Sequence, residues 1–374
     1  MSNFSIETLE VRSHLSATLK GSTLVIRATP QDDQFVVSRV GTQIVVDHNG
    51  KREGSFAARK VARLSIALGD GNDTLDSRGK LPRMMVDGGN GDDYIRTSSG
   101  NDAISGGAGN DRINAGPGND VVDGGADSDW LDGGTGTNTV DYSSRTEGFN
   151  INLSLRGDGF GRSGAENDTL MNFTIAQGSQ GNDVIRGSDT AINQLFGNGG
   201  NDTLAADNAG DELYGGAGDD TLRDILGSVL MDGGDGNDTA DYSQSNHPGG
   251  VYASLEKGEG YGTNVRGEWD SIFDCENLIG TPNDDYLYGD DNANRIDGGA
   301  GPDHIYGRAG IDTLIGGAGN DYIDATDGVV DVVDGGDGSD YVAPDFVTFP
   351  FGRSPIDSLN GVEQVGDPLA DPIG

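Results

Sequence analysis

The sequence predicts an all-β fold, a right-handed parallel β-roll or β-helix solenoid with an N-terminal β cap. Three observations predict it. A nine-residue period runs unbroken from Gly88 to Asp141, each period carries one apolar residue at its eighth position, and 64 glycines supply turns between short strands. Internal repetition at a fixed period marks a stacked architecture in which no unit can bury its apolar face alone.

Residues 1–67 form the cap. TLVIRAT, QFVVSRV and TQIVVDHNG are alternating runs of β-type residues separated by turn residues, the pattern of strands that cover the open end of a stack. The first repeat block spans residues 68–141. From Gly88 it reads GGNGDDYIR, TSSGNDAIS, GGAGNDRIN, AGPGNDVVD, GGADSDWLD and GGTGTNTVD. The eighth residues are Ile95, Ile104, Ile113, Val122, Leu131 and Val140, each predicted to be the inward residue of a very short strand after a six-residue turn.

Residues 142–177 are an insert, followed by the second block at 178–241, a second insert at 242–279 and the third block at 280–343. The inserts are related: DYSSRTEGFNINLSLRGDGFG begins at Asp141 and DYSQSNHPGGVYASLEKGEGYG at Asp241. This indicates a duplication of about one hundred residues, and the alternating runs GFNINLSL and GVYASL predict strands that continue the stack as larger coils. Residues 344–374 contain five prolines and no nine-residue units, which predicts a loose C-terminal cap or a secretion tail.

Composition narrows the chemistry. The chain has 62 acidic and 24 basic residues, a formal charge of −38 and only 33% hydrophobic residues. Such a balance is typical of disorder unless something other than a thick core stabilises the fold. It disfavours nucleic acid, whose binding needs clustered Lys and Arg. No run is long enough for a membrane span, and the first residues lack the basic start and apolar middle of a cleavable Sec-type signal peptide. The single cysteine, Cys275, permits no intrachain disulfide and reads as a small buried apolar residue.

The sixth residue of each unit is usually Asp. Units eighteen residues apart share one edge of the stack, so Asp93, Asp111 and Asp129 form a column at the strand spacing of about 4.8 Å. Carboxylates at that spacing repel. A hard divalent cation resolves the conflict: Ca²⁺ takes about 6 to 8 oxygen ligands, carbonyls included, whereas Mg²⁺ demands stricter geometry and Zn²⁺ prefers Cys and His.

These units resemble the RTX, or haemolysin-type, calcium-binding repeat GGxGxDxUx. The resemblance implies multiple Ca²⁺ ions and carries the family's carboxylate ligand onto Asp73, Asp93, Asp102, Asp111, Asp120 and Asp129 in the first block. In the second it falls on Asp183, Asp202, Asp211, Asp220 and Asp238, and in the third on Asp285, Asp303, Asp312, Asp321 and Asp340. Asn138, Asn193 and Asn294 take the sixth position in three units, and Val229 in a fourth; weak or absent calcium is expected at the Asn positions. One edge of the stack keeps its columns while the other is interrupted in every block, so one edge is expected to carry most of the metal.

The resemblance also implies secretion, by a type I route, to the extracellular space or cell surface. LEVRSHLSATL resembles the LEPR-XLL motif of large bacterial extracellular proteins, with Val11 and His14 as departures. No HExxH or GxSxG is present, so neither the serralysin-type protease nor a lipase is indicated. His14, His48, His247 and His304 are scattered. The expected function is a non-enzymatic calcium-binding module with a structural or adhesive role and polysaccharide or surface-layer components as partners. The alternative is a carbohydrate-binding accessory to a polysaccharide-acting enzyme. Tyr252, Tyr261 and Trp269 are candidates for a sugar-binding face, with packing over the second insert as the favoured alternative.

Overall fold

The computed structural model describes residues 16–154, 158–245, 249–262, 269–349, 352–355, 358–362 and 364–365. Among them there is no α-helix, only one 3-10 turn at Ala58–Lys60, and the rest of the regular structure is β. The chain divides into two units, one within Met1–Val140 and Gly164–Phe173, the other within Asp141–Ser163 and Thr174–Gly374.

In the first unit two parallel sheets alternate along the chain. One runs Thr23–Arg27, Arg63–Asp70, Met84–Asn90, Ala103–Ala108 and Val121–Ala126. The other runs Gln34–Val40, Thr74–Arg78, Tyr94–Arg96, Arg112–Asn114, Trp130–Asp132 and Glu166–Met171. Register follows the repeat, with Ile95 opposite Ile113 and Ile113 opposite Leu131. Each of these eighth-position residues is fully buried, because a period-two strand turns one residue inward and its neighbours outward. The N-terminal runs are strands: Ser16–Lys20 pairs antiparallel with Thr23–Arg27, and Gln34–Val40, Gln43–His48 and Lys51–Ala57 form an antiparallel meander. Outside the core row, the Arg112 guanidinium lies 3.9 Å over the Trp130 ring.

The second unit repeats the design. Thr203–Ala206, Thr221–Asp224, Thr239–Asp241, Asn277–Ile279, Arg295–Ala300 and Thr313–Gly319 stack in parallel. Near the C-terminal end, Ser358–Asn360 pairs in parallel with Val332–Gly338. The second sheet includes Tyr286–Tyr288, His304–Tyr306, Tyr322–Ala325 and Tyr341–Pro344. Equivalent positions on these strands place Tyr286 flat against His304 at 4.6 Å and Tyr288 against Tyr306 at 4.5 Å.

The inserts continue the stack as the alternation suggests, with Asn150–Asn152 parallel to Val184–Arg186 and Val251–Ser254 parallel to Tyr286–Tyr288, but they are more than simple larger coils. Each contains a hairpin: Asn150–Asn152 pairs antiparallel with Gly159–Ser163, and Val251–Ser254 with Glu259–Gly262. The shared DYS motif has a physical role. Asp141 and Asp241 accept the N–H of Ser143 and Ser243, forming a local turn that sends Tyr142 and Tyr242 inward to full burial. Each tyrosine hydroxyl abuts a hairpin glycine, Gly161 or Gly260, where a Cβ would collide with it. Trp269 is 56% exposed, which overturns the expectation that it packs within the insert. The side chain of Tyr261 lies outside the described residues.

Candidate metal centre

Every nine-residue unit turns through a six-residue loop, and the loop glycines permit its shape. At the second position Gly107 has φ of 115° and Gly216 of 111°, a region that a side chain makes costly. Their hypothetical Cβ atoms would strike the carbonyl oxygen of the second residue one turn away, Gly89 or Asn198. The loop ends on the sixth-position Asp, whose side chain folds inward beneath the strand. All sixteen predicted aspartates are buried, none more than 3% exposed.

One oxygen of each carboxylate has a defined task. Asp93 N–H donates to Asp111 Oδ1 at 2.8 Å, and Asp111 N–H to Asp129 Oδ1 at 2.7 Å. The same bond links Asp73 to Asp93, Asp102 to Asp120, and Asp202 to Asp220 and Asp238. It also links Asp183 to Asp202, Asp285 to Asp303 and Asp303 to Asp321 and Asp340. Asn193 and Asn294 donate in this way to Asp211 and Asp312. The column is therefore a ladder of backbone bonds to carboxylates, which offsets part of the repulsion expected between stacked carboxylates.

That second oxygen is the distinctive feature. Oδ2 of Asp93, Asp111, Asp129, Asp202, Asp220 and Asp303 is buried without a hydrogen-bond partner. A buried carboxylate oxygen in that state needs a proton or a cation. Burial accordingly pushes these acids up, Asp93 and Asp202 to about 7, Asp129 to about 8 and Asp303 to about 9, with neighbouring carboxylates adding to the rise and the ladder N–H opposing it. Around each Oδ2 the backbone is close. A Cβ on Gly106 would meet both Asp111 Oδ2 and the Gly124 carbonyl, and one on Gly215 both Asp220 Oδ2 and the Gly233 carbonyl.

A carboxylate oxygen and a carbonyl oxygen thus approach the same point beside each of these loop glycines. No group of three or more His, Cys, Asp or Glu side chains is gathered among the described residues. A cation here would draw on few carboxylates and several carbonyls, a donor set that fits calcium and not zinc. Bound calcium would supply the missing positive charge and tie neighbouring loops together.

The structure adds ladder residues that the repeat pattern did not mark. Asp73 Oδ1 receives the Asp33 N–H, and Asp129 N–H reaches Asp168 Oδ1 at 2.9 Å. Val229 N–H donates to Asp270, Asp238 N–H to Glu276 and Asp312 N–H to Asp331. Asp168 sits in SGAENDTLM, a worn unit whose Leu170 is buried; that Asp-x-Leu spacing was the available signal. Asp331 ends a unit lengthened by one residue, which hid its register. The third block's second edge therefore continues from Asp312 to Asp331, with Asn294 still interrupting its column of aspartates.

The Asn positions are hydrogen-bonded. Asn138 Nδ2 donates to the Asn172 carbonyl, Asn193 Nδ2 to Thr174 and Asn294 Nδ2 to Glu276. Cys275 is buried and its thiol is pushed well up, chiefly by desolvation. His48 contacts Asp33 at 2.6 Å, and His304 lies in the tyrosine stack; His14 and His247 lie outside the described residues.

Among the described residues no helix is long and apolar enough to cross a membrane. No curated protein matches the chain. The family RTX calcium-binding nonapeptide repeat (4 copies) matches residues 87–122, 105–140, 175–191, 188–222, 276–305 and 297–329. With the stacked coils and the buried aspartate ladder, these matches make the chain a calcium-binding β-roll protein that carries RTX nonapeptide repeats.

Proposed function

We propose that the protein is a non-enzymatic module that folds on binding calcium outside the cell and serves a structural or adhesive role at the cell surface. The buried carboxylate oxygens without hydrogen-bond partners carry this reading. A thin row of single apolar residues with unneutralised acids beside it is a poor fold by itself, so metal binding becomes folding free energy. A site that binds only the folded chain adds about 2.7 kcal/mol when free calcium is one hundred times its dissociation constant, and many such sites act together. Millimolar extracellular calcium suits that requirement.

A calcium titration of the full chain, followed by far-UV circular dichroism and hydrodynamic size, tests the proposal. A largely unfolded chain in chelator and a compact β-rich one in millimolar calcium are expected. A spectrum and size unchanged by chelation would sink it.

Export by a type I route fits the same logic, because folding waits for calcium. The LEPR-XLL-like motif begins among residues 1–15, and much of the C-terminal tail falls on residues 366–374; both stretches lie outside the described residues.

A carbohydrate-binding role is the second reading, favoured by the row of rings Tyr286, His304 and Tyr322, the first pair stacked and the second tilted, and by the exposed ring of Trp269. Aromatic faces of this kind suit sugar rings. A glycan array with and without calcium separates the two: calcium-dependent glycan binding supports the second reading, and its absence supports the first.

A further inference from the structure

We propose that the second residue of each loop decides whether its rung takes calcium, so that Asp183, Asp211 and Asp285 sit in cation-free rungs despite matching the repeat pattern. This rests on the calcium reading of the ladder and adds which rungs it applies to.

The sixth-position residues fall into two chemical classes. Where the second residue has positive φ, the carboxylate is left with an unpartnered Oδ2. Gly89, Gly107 and Gly125 have φ of 105°, 115° and 106°, and Oδ2 of Asp93, Asp111 and Asp129 has no partner. The same holds for Gly234 with Asp238 and for Gly317 with Asp321. Left-handed backbone turns the second N–H elsewhere; that of Gly125 donates to Asp123.

Where the second residue lacks positive φ, its own groups occupy the site. Ser179 N–H reaches Asp183 Oδ2 at 2.5 Å and its hydroxyl Oδ1 at 2.8 Å. Thr281 N–H reaches Asp285 Oδ2 at 2.5 Å and its hydroxyl Oδ1 at 2.9 Å. In the Asp211 loop the second residue, Asp207, gives a backbone hydrogen bond to the carboxylate, and the third residue adds another, Asn208 N–H reaching Asp211 Oδ2 at 3.1 Å. Ser188 and Asp290 cap Asn193 and Asn294 in the same way. A cation would have to displace donors whose hydrogens point into the space it needs.

Backbone hand, rather than glycine as such, makes the distinction. Asn198 and Arg308 hold the second position with φ of 74° and 71°, and the Oδ2 of Asp202 and Asp312 is unpartnered as in the glycine loops. Asp102 departs from the pattern, since Ser98 lacks positive φ while Asp102 Oδ2 has no hydrogen-bond partner, and the proposal assigns it to neither class.

The test counts bound calcium in the full-length protein, by metal analysis after equilibrium dialysis, with circular dichroism confirming that each variant folds at saturating calcium. Asp183→Asn and Asp285→Asn are expected to keep the wild-type ion number. Asp220→Asn and Asp321→Asn should each lose at least one ion, and Ser179→Gly should gain one. Loss of ions in Asp183→Asn or Asp285→Asn equal to that in Asp220→Asn would overturn the selector. Unchanged counts in all four Asn variants would instead overturn the placement of calcium at the sixth-position carboxylates.

Discussion

A carboxylate such as Asp111 has two oxygens to place, and the fold gives a backbone N–H to only one of them. The glycines around it keep the other accessible to an ion. Gly106→Ala would drive a methyl group into both Asp111 Oδ2 and the Gly124 carbonyl. We expect it to destabilise the calcium-loaded protein by about 1–3 kcal/mol and to weaken calcium binding, read as a shift in the calcium-dependent denaturation midpoint. Gly41→Ala, which meets nothing within 4 Å, is the control, with a cost of about 1 kcal/mol from its positive φ alone. At this scale the sequence was informative where identity and position coincide, as in the sixth-position aspartates and the buried Ile113 and Leu131. It did not reveal which oxygen each Asp uses, because that depends on the backbone hand of a residue four positions earlier. Ser179 and Gly216 occupy the same place in the pattern and do opposite things to it.

A rung of the stack is stable when every acceptor turned inward meets a donor or a cation. In the Asn138 rung the side-chain amide provides the donor, bonding the Asn172 carbonyl at 3.1 Å. Asn138→Asp would replace that donor with an acceptor, while Gly134 already has φ of 79°. The variant should be less stable than wild type in chelator and should bind one more calcium, which paired chelator melts and ion counts check. The inserts obey the same accounting through different residues. Asp168 and Asp270 extend the ladder from inside segments whose repeat pattern is nearly erased. Their hairpins close over Tyr142 and Tyr242, so Gly161→Ala or Gly260→Ala should destabilise by about 1–3 kcal/mol, seen as a lower melting temperature in calcium. Alternating residues announced strands in the inserts, and turn residues stand in both connecting loops, Asp158-Gly159 in one and Lys257-Gly258 in the other; the antiparallel return was not legible because the surrounding parallel repeats are just as rich in such turns.

Across the molecule, each rung bonds mainly to its neighbours, and stability is close to a sum of local terms. Many of those terms depend on protons. Burial raises the ladder acids from an ordinary value near 4 to about 6 for Asp111 and Asp220 and about 9 for Asp303. A raised folded-state value means that the metal-free fold binds more protons than the unfolded chain. Its stabilisation is full below about pH 4 and is lost as pH rises through about 6 to 9. Metal-stripped protein should therefore show more β structure at pH 5 than at pH 8 by circular dichroism. Calcium-loaded protein should behave oppositely, with affinity falling as the pH drops below about 6, because protons and calcium compete for the same oxygens. The solenoid architecture itself was legible from the period alone, since stacking follows from units too small to bury their own apolar residue.

The Arg112 guanidinium over the Trp130 ring also gives the protein an optical probe. The chain has two tryptophans. Trp130 follows Asp129 directly and is partly shielded, whereas Trp269 is mostly in water. In a Trp269→Phe background, emission would report the Asp129 rung alone. A blue shift on adding calcium, quenched less by iodide than in chelator, would time the ordering of the first block independently of the rest of the chain.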